Sequence, residues 1–449
     1  MKGLLEGIRV IDSTTVVAMP TAMHIMGDMG AQVIKVETHT QTRGEGGTFA
    51  DNIPPDSEYW NKDGNFHALN RSKLGITLNL QDPDGVNTFK ELAALSDVVA
   101  ENNRAGTMER LGLGYDDLKR IKPDIIYISN TGFGQTGPWR RYAGIGRMFE
   151  LTCGLSQFTG YEHESPRRVG RFFFDPHVGW TAVFAIMAAL HYRNETGKGQ
   201  WIDLSMYQTG ASTMGDVILD FAANKRNGGL RSNRHDSIAP HNVYPCRGDD
   251  NWIAIAIEND IEWNALCQAM DNPSWTHNDK FSDAFSRWRN QDELDRNIAA
   301  WTETYDHVEL MDQLQAMGIP AGAVLNGKET LTNPHLKARQ FYEAVTHPPE
   351  SGMGTRLYHG RPWKMSDAEA HIRRPAPTVG EHNDYVLGQI MGKEEDEILE
   401  LHEIGVIGQE PTNPRPANQP VSLDRQLDEG SIKEYDSDYQ SQLGITDHE

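Results

Sequence analysis

One carboxylate in this chain is framed by phenylalanines and a proline: residues 171–180 read RFFFDPHVGW, with Asp175 between Phe174 and Pro176. A charge beside so much apolar surface is costly unless something holds it. Two readings fit. As an N-cap, Asp175 opens the helix DPHVGWTAVFAIMAALHYR, with Pro176 at its first position. As a nucleophile, it sits where a helix N-terminus favours an anionic oxygen. The same free amides would stabilise the oxyanion formed if the carboxylate itself were acylated. The stretch alone leaves both readings open.

Other chemistries lack their residues. The turn after the first expected strand, STTVVAMP, has none of the glycines that let a pyrophosphate approach the backbone. GIGRMF at 144 has two glycines, not three, and follows no strand. There is no P-loop and no GxSxG elbow. The 17 histidines are scattered without an HExxH, and Cys153, Cys246 and Cys267 show no CxxC spacing. Neither a metal site nor a disulfide framework is expected, and a reducing cytoplasm is the expected compartment.

The elements that must position Asp175 alternate. IRVIDST reads as a strand, PTAMHIMGDMG as a helix opened by Pro20 and closed by Gly30, and AQVIKVE as the next strand. GITLNL, a helix from Pro83, DVVAEN, YDDLKRIK and DIIYIS repeat the unit. A helix over about 177–193, the strand GQWIDLS and one helix MYQTGASTMGDVILDFAANKR follow. Apolar strands alternating with helices predict α/β architecture: a Rossmann-like parallel-sheet large domain. After the Gly-, Asn- and Arg-rich NGGLRSNRHDSIAPHN come NWIAIAI and two amphipathic helices, an inserted smaller α+β domain. The expected domains are 1–225 plus 329–407, then 226–328, then an acidic extended tail over 408–449.

Charge narrows the partners. The formal net charge is −22, from 42 basic and 64 acidic residues. Nucleic acid is excluded as the main partner, because phosphate binding needs a basic face. A local basic pocket for a phosphorylated small molecule stays open. No stretch approaches the roughly 20 apolar residues of a membrane span, and MKGLLEGIRVIDSTTVV carries charges where a signal peptide needs an apolar run.

From LEGIRVIDSTTVVAMPTAMHIMGDMGAQVIKVE onward, the chain resembles the class III CoA-transferases, the family of formyl-CoA, carnitine and bile-acid CoA-transferases. NRSKLGITLNL, ENNRAGTMERLGLGYDDL, NTGFGQTGP, YRNETGKGQWIDLS, MGIPAGAV, NPHL and PAPTVGEHN match its landmarks in order, over about residues 3–405. The resemblance implies CoA transfer from an acyl-CoA donor to a carboxylic acid acceptor, with Asp175 as a nucleophile that becomes an aspartyl-CoA thioester. It implies CoA contacts at Val16, Val17 and Ala18, at Lys73 facing a phosphate, and at Asn102 and Arg110. Coenzyme A is then a substrate, with no tightly bound cofactor. Family members form interlaced dimers, so a homodimer is expected, or a heterodimer with a paralogous subunit.

Departures from the family pattern matter. Thr38 and His39 follow KVE where proline and acidic residues are usual, and Ala105 stands where proline is usual. No glycine-rich lid appears over 226–246. The polar groups that precede the nucleophile in the formyl-CoA type fall on Ala143 and Gly146, which argues against oxalate and formate. The related α-methylacyl-CoA racemases need an acid/base pair, and Ile145 stands where their histidine would be. A non-catalytic CoA-binding subunit is the remaining alternative. Phe172, Phe173, Phe174 and Trp180 around the nucleophile suggest a wall for a larger apolar or aromatic acid.

Overall fold

The computed structural model describes residues 2–41, 48–53, 55, 57–170, 173–414 and 419–445. Arg171 and Phe172 lie outside them. Contacts divide the chain into two compact units. The larger holds residues 1–155, 170–216 and 335–449, the smaller 156–169 and 217–334. The sequence reading placed the junctions at 225/226 and 328/329.

The larger unit is built on a six-stranded parallel sheet. Its strands are β1 (Arg9–Ser13), β2 (Gln32–Glu37), β3 (Lys73–Thr77), β4 (Val98–Glu101), β5 (Ile126–Thr131) and β6 (Trp201–Ser205). Their spatial order is β3-β2-β1-β4-β5-β6. Five of the six burial patterns are nearly continuous, as a sheet covered on both faces requires. The helices between them are α1 (Ala18–Asp28), α2 (Gly64–Asn70), α3 (Pro83–Ala94), α4 (Thr107–Arg110), α5 (Tyr115–Ile121), α6 (Gly146–Thr152) and α7 (Phe174–Thr196). One core packs α3 and α5 side chains such as Phe89, Leu92 and Leu118 on one sheet face. The other packs Met19, Met23 and Met26 of α1 with Ala182, Ile186 and Leu190 of α7. Every residue of α1 is buried, so it runs as an inner layer beneath α7.

The expected single helix over 206–226 is two, α8 (Met206–Ser212) and α9 (Gly215–Asn224). The break at Thr213–Met214 follows a run of Thr, Gly, Ala, Ser and Thr, whose hydroxyls bond back to preceding carbonyls: Ser212 Oγ to Thr209 O, 2.7 Å, and Thr213 Oγ1 to Gly210 O, 2.7 Å.

The smaller unit has a three-stranded antiparallel sheet, β7 (His241–Pro245), β8 (Trp252–Ala256) and β9 (Ala321–Val324), in that order. Its helices α10 (Asp260–Ala269), α11 (Ala284–Arg289), α12 (Gln291–Thr302) and α13 (His307–Ala316) bury Leu266, Ile298, Leu310 and Leu314 with Ile253 and Ile255 of β8. The tail lies against the larger unit. Asn52 Nδ2 donates to Val421 O at 2.9 Å, the Tyr439 hydroxyl bonds the Asp51 carboxylate, and Ile445 is buried.

Candidate active site

The sheet order reverses between β1 and β4, and the carboxyl ends of those strands form the crevice where open α/β sheets receive ligands. The chain leaves β1 through Thr14, Thr15 and Val16. Val16 has φ +69° and is 79% exposed. A β-branched residue pays for that conformation in steric strain, so the turn must be held by its surroundings. It is held from two sides. The Asn102 amide accepts from Thr15 N and donates to Thr15 O, both at 2.8 Å. Beneath, Asp12 accepts from the Thr14 N–H at 3.0 Å and from its hydroxyl, while the Lys35 ammonium donates to Thr14 O. Val17 then stands at the N-cap of α1 without a side-chain cap, and no acidic residue occupies the first turn. The first-turn amides of Ala18 and Met19 therefore lack an intrahelical partner, at the helix end whose dipole favours an anion.

Lys73 does not face outward as expected. Its side chain is wholly buried, with Nζ 2.8 Å from Asp12 Oδ2 and 2.8 Å from Asn70 Oδ1. Burial, with Lys35 adding to it, outweighs the attraction of Asp12 and lowers the Lys73 pKa to about 8. Burial pushes Asp12 up, but Lys73, Lys35 and the hydrogen bonds prevail and hold it below the usual carboxylate value. An ammonium so placed meets a phosphate only by breaking that pair, and its contact with Asp12 lies under the turn. Arg110 ends α4 as an exposed side chain, with Nη2 3.1 Å from Thr107 Oγ1. Its guanidinium has no carboxylate partner among the described residues.

Asp175 lies in the first turn of α7, which begins at Phe174, two residues earlier than the cap reading places it. The N-cap position falls on Phe173. Phe174 is drawn into the helix by burial with Phe149, Val178, Met206 and Ala18. Gly179, one turn on, lets α7 touch α1: a Cβ there would stand 2.6 Å from Ala18 O. Residues i and i+4 share a helix face, so Asp175 projects at the same end as Ala18 and the Val16 turn. Its carboxylate presses on Gly146, where a Cβ would lie 2.0 Å from Oδ2 and 2.6 Å from Cγ. Burial raises the Asp175 pKa, its own backbone N–H opposes that, and Glu150 adds to the rise. A half-buried carboxylate in this state is less well solvated than one in water, and so more reactive toward a carbonyl carbon.

An exposed turn, free helix amides and a poorly solvated carboxylate at one sheet edge suit acyl-group chemistry on an anionic, extended substrate. Most of the chain answers to a known family here: residues 5–383 match CoA-transferase family III. The chain belongs to that family. It is 32% identical over 407 residues to the succinyl-CoA–D-citramalate CoA-transferase of Chloroflexus aurantiacus, covering 90% of this chain and 98% of the relative. It is 31% identical over 415 residues to human succinyl-CoA:glutarate CoA-transferase, covering 91% of each. The crystal structure of a CAIB/BAIF family protein from Brucella suis superposes with a TM-score of 0.77 at 28% identity, over 87% of this chain and 100% of that one. This family III member is a CoA-transferase.

Around Asp175, the expected aromatic wall is mostly core. Phe174 is 2% exposed, and Trp180 packs edge-on to Trp363 at 5.2 Å. Phe173 alone of the described three is open, stacked on His177 at 6.4 Å. His39 is buried, with Gly408 against its ring and Thr412 N bonded to its carbonyl at 2.9 Å, so the tail covers that departure. Two residues escaped the sequence reading. Gly146 reads there as a lost polar group, yet it is the floor under the Asp175 carboxylate. Glu101, at the end of β4, is raised to about 7 by burial and accepts from Asn103 N at 2.7 Å. Its place in "EN" beside Asn102 was the available signal. Among the described residues no group of three His, Cys, Asp or Glu side chains is placed to hold a metal, and no helix is long and apolar enough to cross a membrane. A cavity of about 570 Å³ between β7–β9 and Arg234 belongs to the smaller unit and includes none of the expected residues.

Proposed function

We propose that this CoA-transferase moves CoA from succinyl-CoA to a dicarboxylic acid through a covalent intermediate on Asp175. The observation that carries it is the Asp175 carboxylate itself: half-buried, raised in pKa, seated on Gly146, and with its own N–H as its backbone partner rather than a helix-capping bond. The relatives' names supply the donor and the acid class.

The steps balance without ATP. An Asp175 oxygen adds to the thioester carbonyl, the C–S bond breaks, and CoA leaves as thiolate beside a mixed anhydride. The thiolate attacks Cγ of Asp175, the anhydride C–O bond breaks, and succinate departs. The acceptor carboxylate attacks the aspartyl thioester and expels the thiolate, giving a second anhydride. Attack of the thiolate on the acceptor carbonyl frees Asp175 and releases the new acyl-CoA. Each exchange is between similarly activated acyl groups, so one difficult transfer becomes several easier ones. The Val16–Ala18 turn, Asn102 and Arg110 would hold CoA, and Lys73 would act from below through Asp12. A racemase would need a proton-carrying side chain where the exposed Ile145 stands.

An interlaced dimer belongs to the same proposal, with light scattering at micromolar concentration as its check; a monomer would overturn it. The mechanism is tested by quenching enzyme with succinyl-CoA. The peptide containing FFFDPHVGW should gain a CoA-sized mass removable by hydroxylamine. Turnover with no such adduct on that peptide would refute the covalent route.

A further inference from the structure

Residues 138–147, PWRRYAGIGR, carry three arginines and no acidic residue, in a chain of net charge −22. The segment follows the end of β5 and includes Gly146, the residue under the Asp175 carboxylate. Arg140, Arg141 and Arg147 are exposed, and none has an ion pair or a side-chain hydrogen bond among the described residues. Buried and boundary arginines elsewhere are paired: Arg71 and Arg361 with Asp28, Arg193 with Asp97, Arg356 with Asp51. A further cation leans on the segment, since Arg104 donates to Arg141 O.

The segment is also firmly backed. The Phe133 ring meets Trp139 at 5.4 Å, Tyr142 at 5.9 Å and Phe149 at 5.1 Å, and Trp139 stacks on Tyr142 at 6.0 Å. Phe149 fills the space beside two glycines: a Cβ on Gly132 or Gly144 would stand 2.2 or 2.3 Å from its ring. Trp139 and Tyr142 are 42% and 59% exposed, so this aromatic surface is open, and Arg140 and Arg141 lie between the two in the chain. Apolar faces with planar cations at their rim suit a short methylene chain ending in a carboxylate.

We propose that Arg140, Arg141 and Arg147 bind the distal carboxylate of a dicarboxylic acyl group whose other end reacts at Asp175. The proposal rests on that reading of Asp175. Burial, its own N–H and Glu150 are what perturb Asp175, with no arginine among them. Cations that read the far end of a substrate must stand away from the nucleophile, because the two carboxyl groups of a four- or five-carbon diacid are separated by three or four C–C bonds of about 1.5 Å. The arginines then set the preference for diacids over monoacids. CoA phosphates are the other anions that could meet them.

The test compares glutarate with pentanoate as acceptors, and succinyl-CoA with butyryl-CoA as donors, in the full-length enzyme. The R140Q/R141Q/R147Q variant should lower the glutarate-to-pentanoate ratio of kcat/KM roughly 10- to 100-fold, the size of a lost charge-assisted contact. The succinyl-to-butyryl ratio should fall in parallel, and the Kd of free CoA should change less than twofold. Arg147→Gln alone keeps the test available should the triple variant misfold, with a smaller shift in the same direction. Arg120→Gln, on the far helix α5, should move neither ratio. Unchanged ratios, or equal losses for both acids, would overturn the proposal. A weakened CoA Kd with unchanged ratios would assign the arginines to phosphate and overturn it too. Turnover by wild-type enzyme with no CoA adduct on the Asp175 peptide would instead remove the reading of Asp175 on which it rests.

Discussion

Adding one methyl group at Gly146 tests the proposed role of Asp175 without changing Asp175 itself. In Gly146→Ala the new Cβ would sit 2.0 Å from Oδ2, 2.6 Å from Oδ1 and 2.6 Å from Cγ of Asp175. Carbon and oxygen in contact need more than 3 Å, so about 1 Å of movement is required. Gly146 begins α6, whose Phe149 is locked into the core, so the backbone there gives little. The short aspartate side chain is the part that turns, and its oxygens leave their present line of attack. A displacement of about 1 Å at a reacting group costs on the order of 100-fold in rate. Overpacking of this kind costs about 1–3 kcal/mol of stability. The assay is kcat with saturating succinyl-CoA and glutarate, read beside the melting temperature and the Kd of free CoA. The expected result is a kcat lowered about 100-fold with CoA binding preserved. A folded Gly146→Ala enzyme with wild-type kcat would show that the Asp175 carboxylate does not act from this position.

Asp175→Asn should fold, bind CoA and lose roughly four orders of magnitude in kcat, as enzymes do when a nucleophile is removed; thermal melts and steady-state rates check both halves. With its pKa raised by burial, Asp175 must lose its proton before it attacks, so kcat/KM for succinyl-CoA should fall on acidification with a midpoint above the ordinary 3.8. A group raised in the folded state adds stability at low pH and loses it as pH rises through the folded value, so the Asn variant should melt no lower than wild type at neutral pH. Lys73→Met leaves Asp12 buried without its ion-pair partner and should cost about 3 kcal/mol in urea unfolding, the low end for such a loss because Lys35 remains. Asn102→Asp cannot donate to Thr15 O, so the acyl-CoA KM should rise about tenfold with the acceptor KM unchanged.

The sheet was legible in the sequence because its strands are short apolar runs punctuated by helix signals. IRVIDST, AQVIKVE and DIIYIS became β1, β2 and β5, and Pro83 opens α3 where its N-cap Asp82 accepts from Asp84 N at 2.9 Å. Asp175 was legible as a residue but its setting was not. Nothing local says that Phe174 would be pulled into the helix by a core assembled from Ala18, Phe149 and Met206. Lys73 misled for the same reason. An isolated lysine reads as a solvated cation, and its burial follows from a strand pairing that sets Leu74 opposite Ile34 and turns Lys73 inward beneath Pro20. The role of Gly146 needed the two chain segments side by side. Its only local sign was the absence of a side chain.

The charged cluster under the β1–α1 turn has a physical reason that burial alone does not supply. Replacing Asp12, Lys35 and Lys73 with apolar residues of similar size would remove a desolvation cost of several kcal/mol per ion, and such exchanges are often neutral or stabilising. Apolar side chains, however, could bond neither the N–H nor the carbonyl of Thr14. Both backbone groups of Thr14 would then be free to relax, and with them the left-handed Val16, whose strain is about 1–3 kcal/mol. The Thr14 bonds below and the paired Asn102 bonds beside it fix two consecutive residues by four backbone contacts. A turn so over-determined holds Val17 and Ala18 in place before any ligand arrives. In a transfer that begins with a flexible thioester, entropy removed in advance from the protein is entropy the substrate complex no longer has to lose. The stability given up in burying three charges and in straining one exposed valine is thus matched to the task at the carboxyl edge of the sheet.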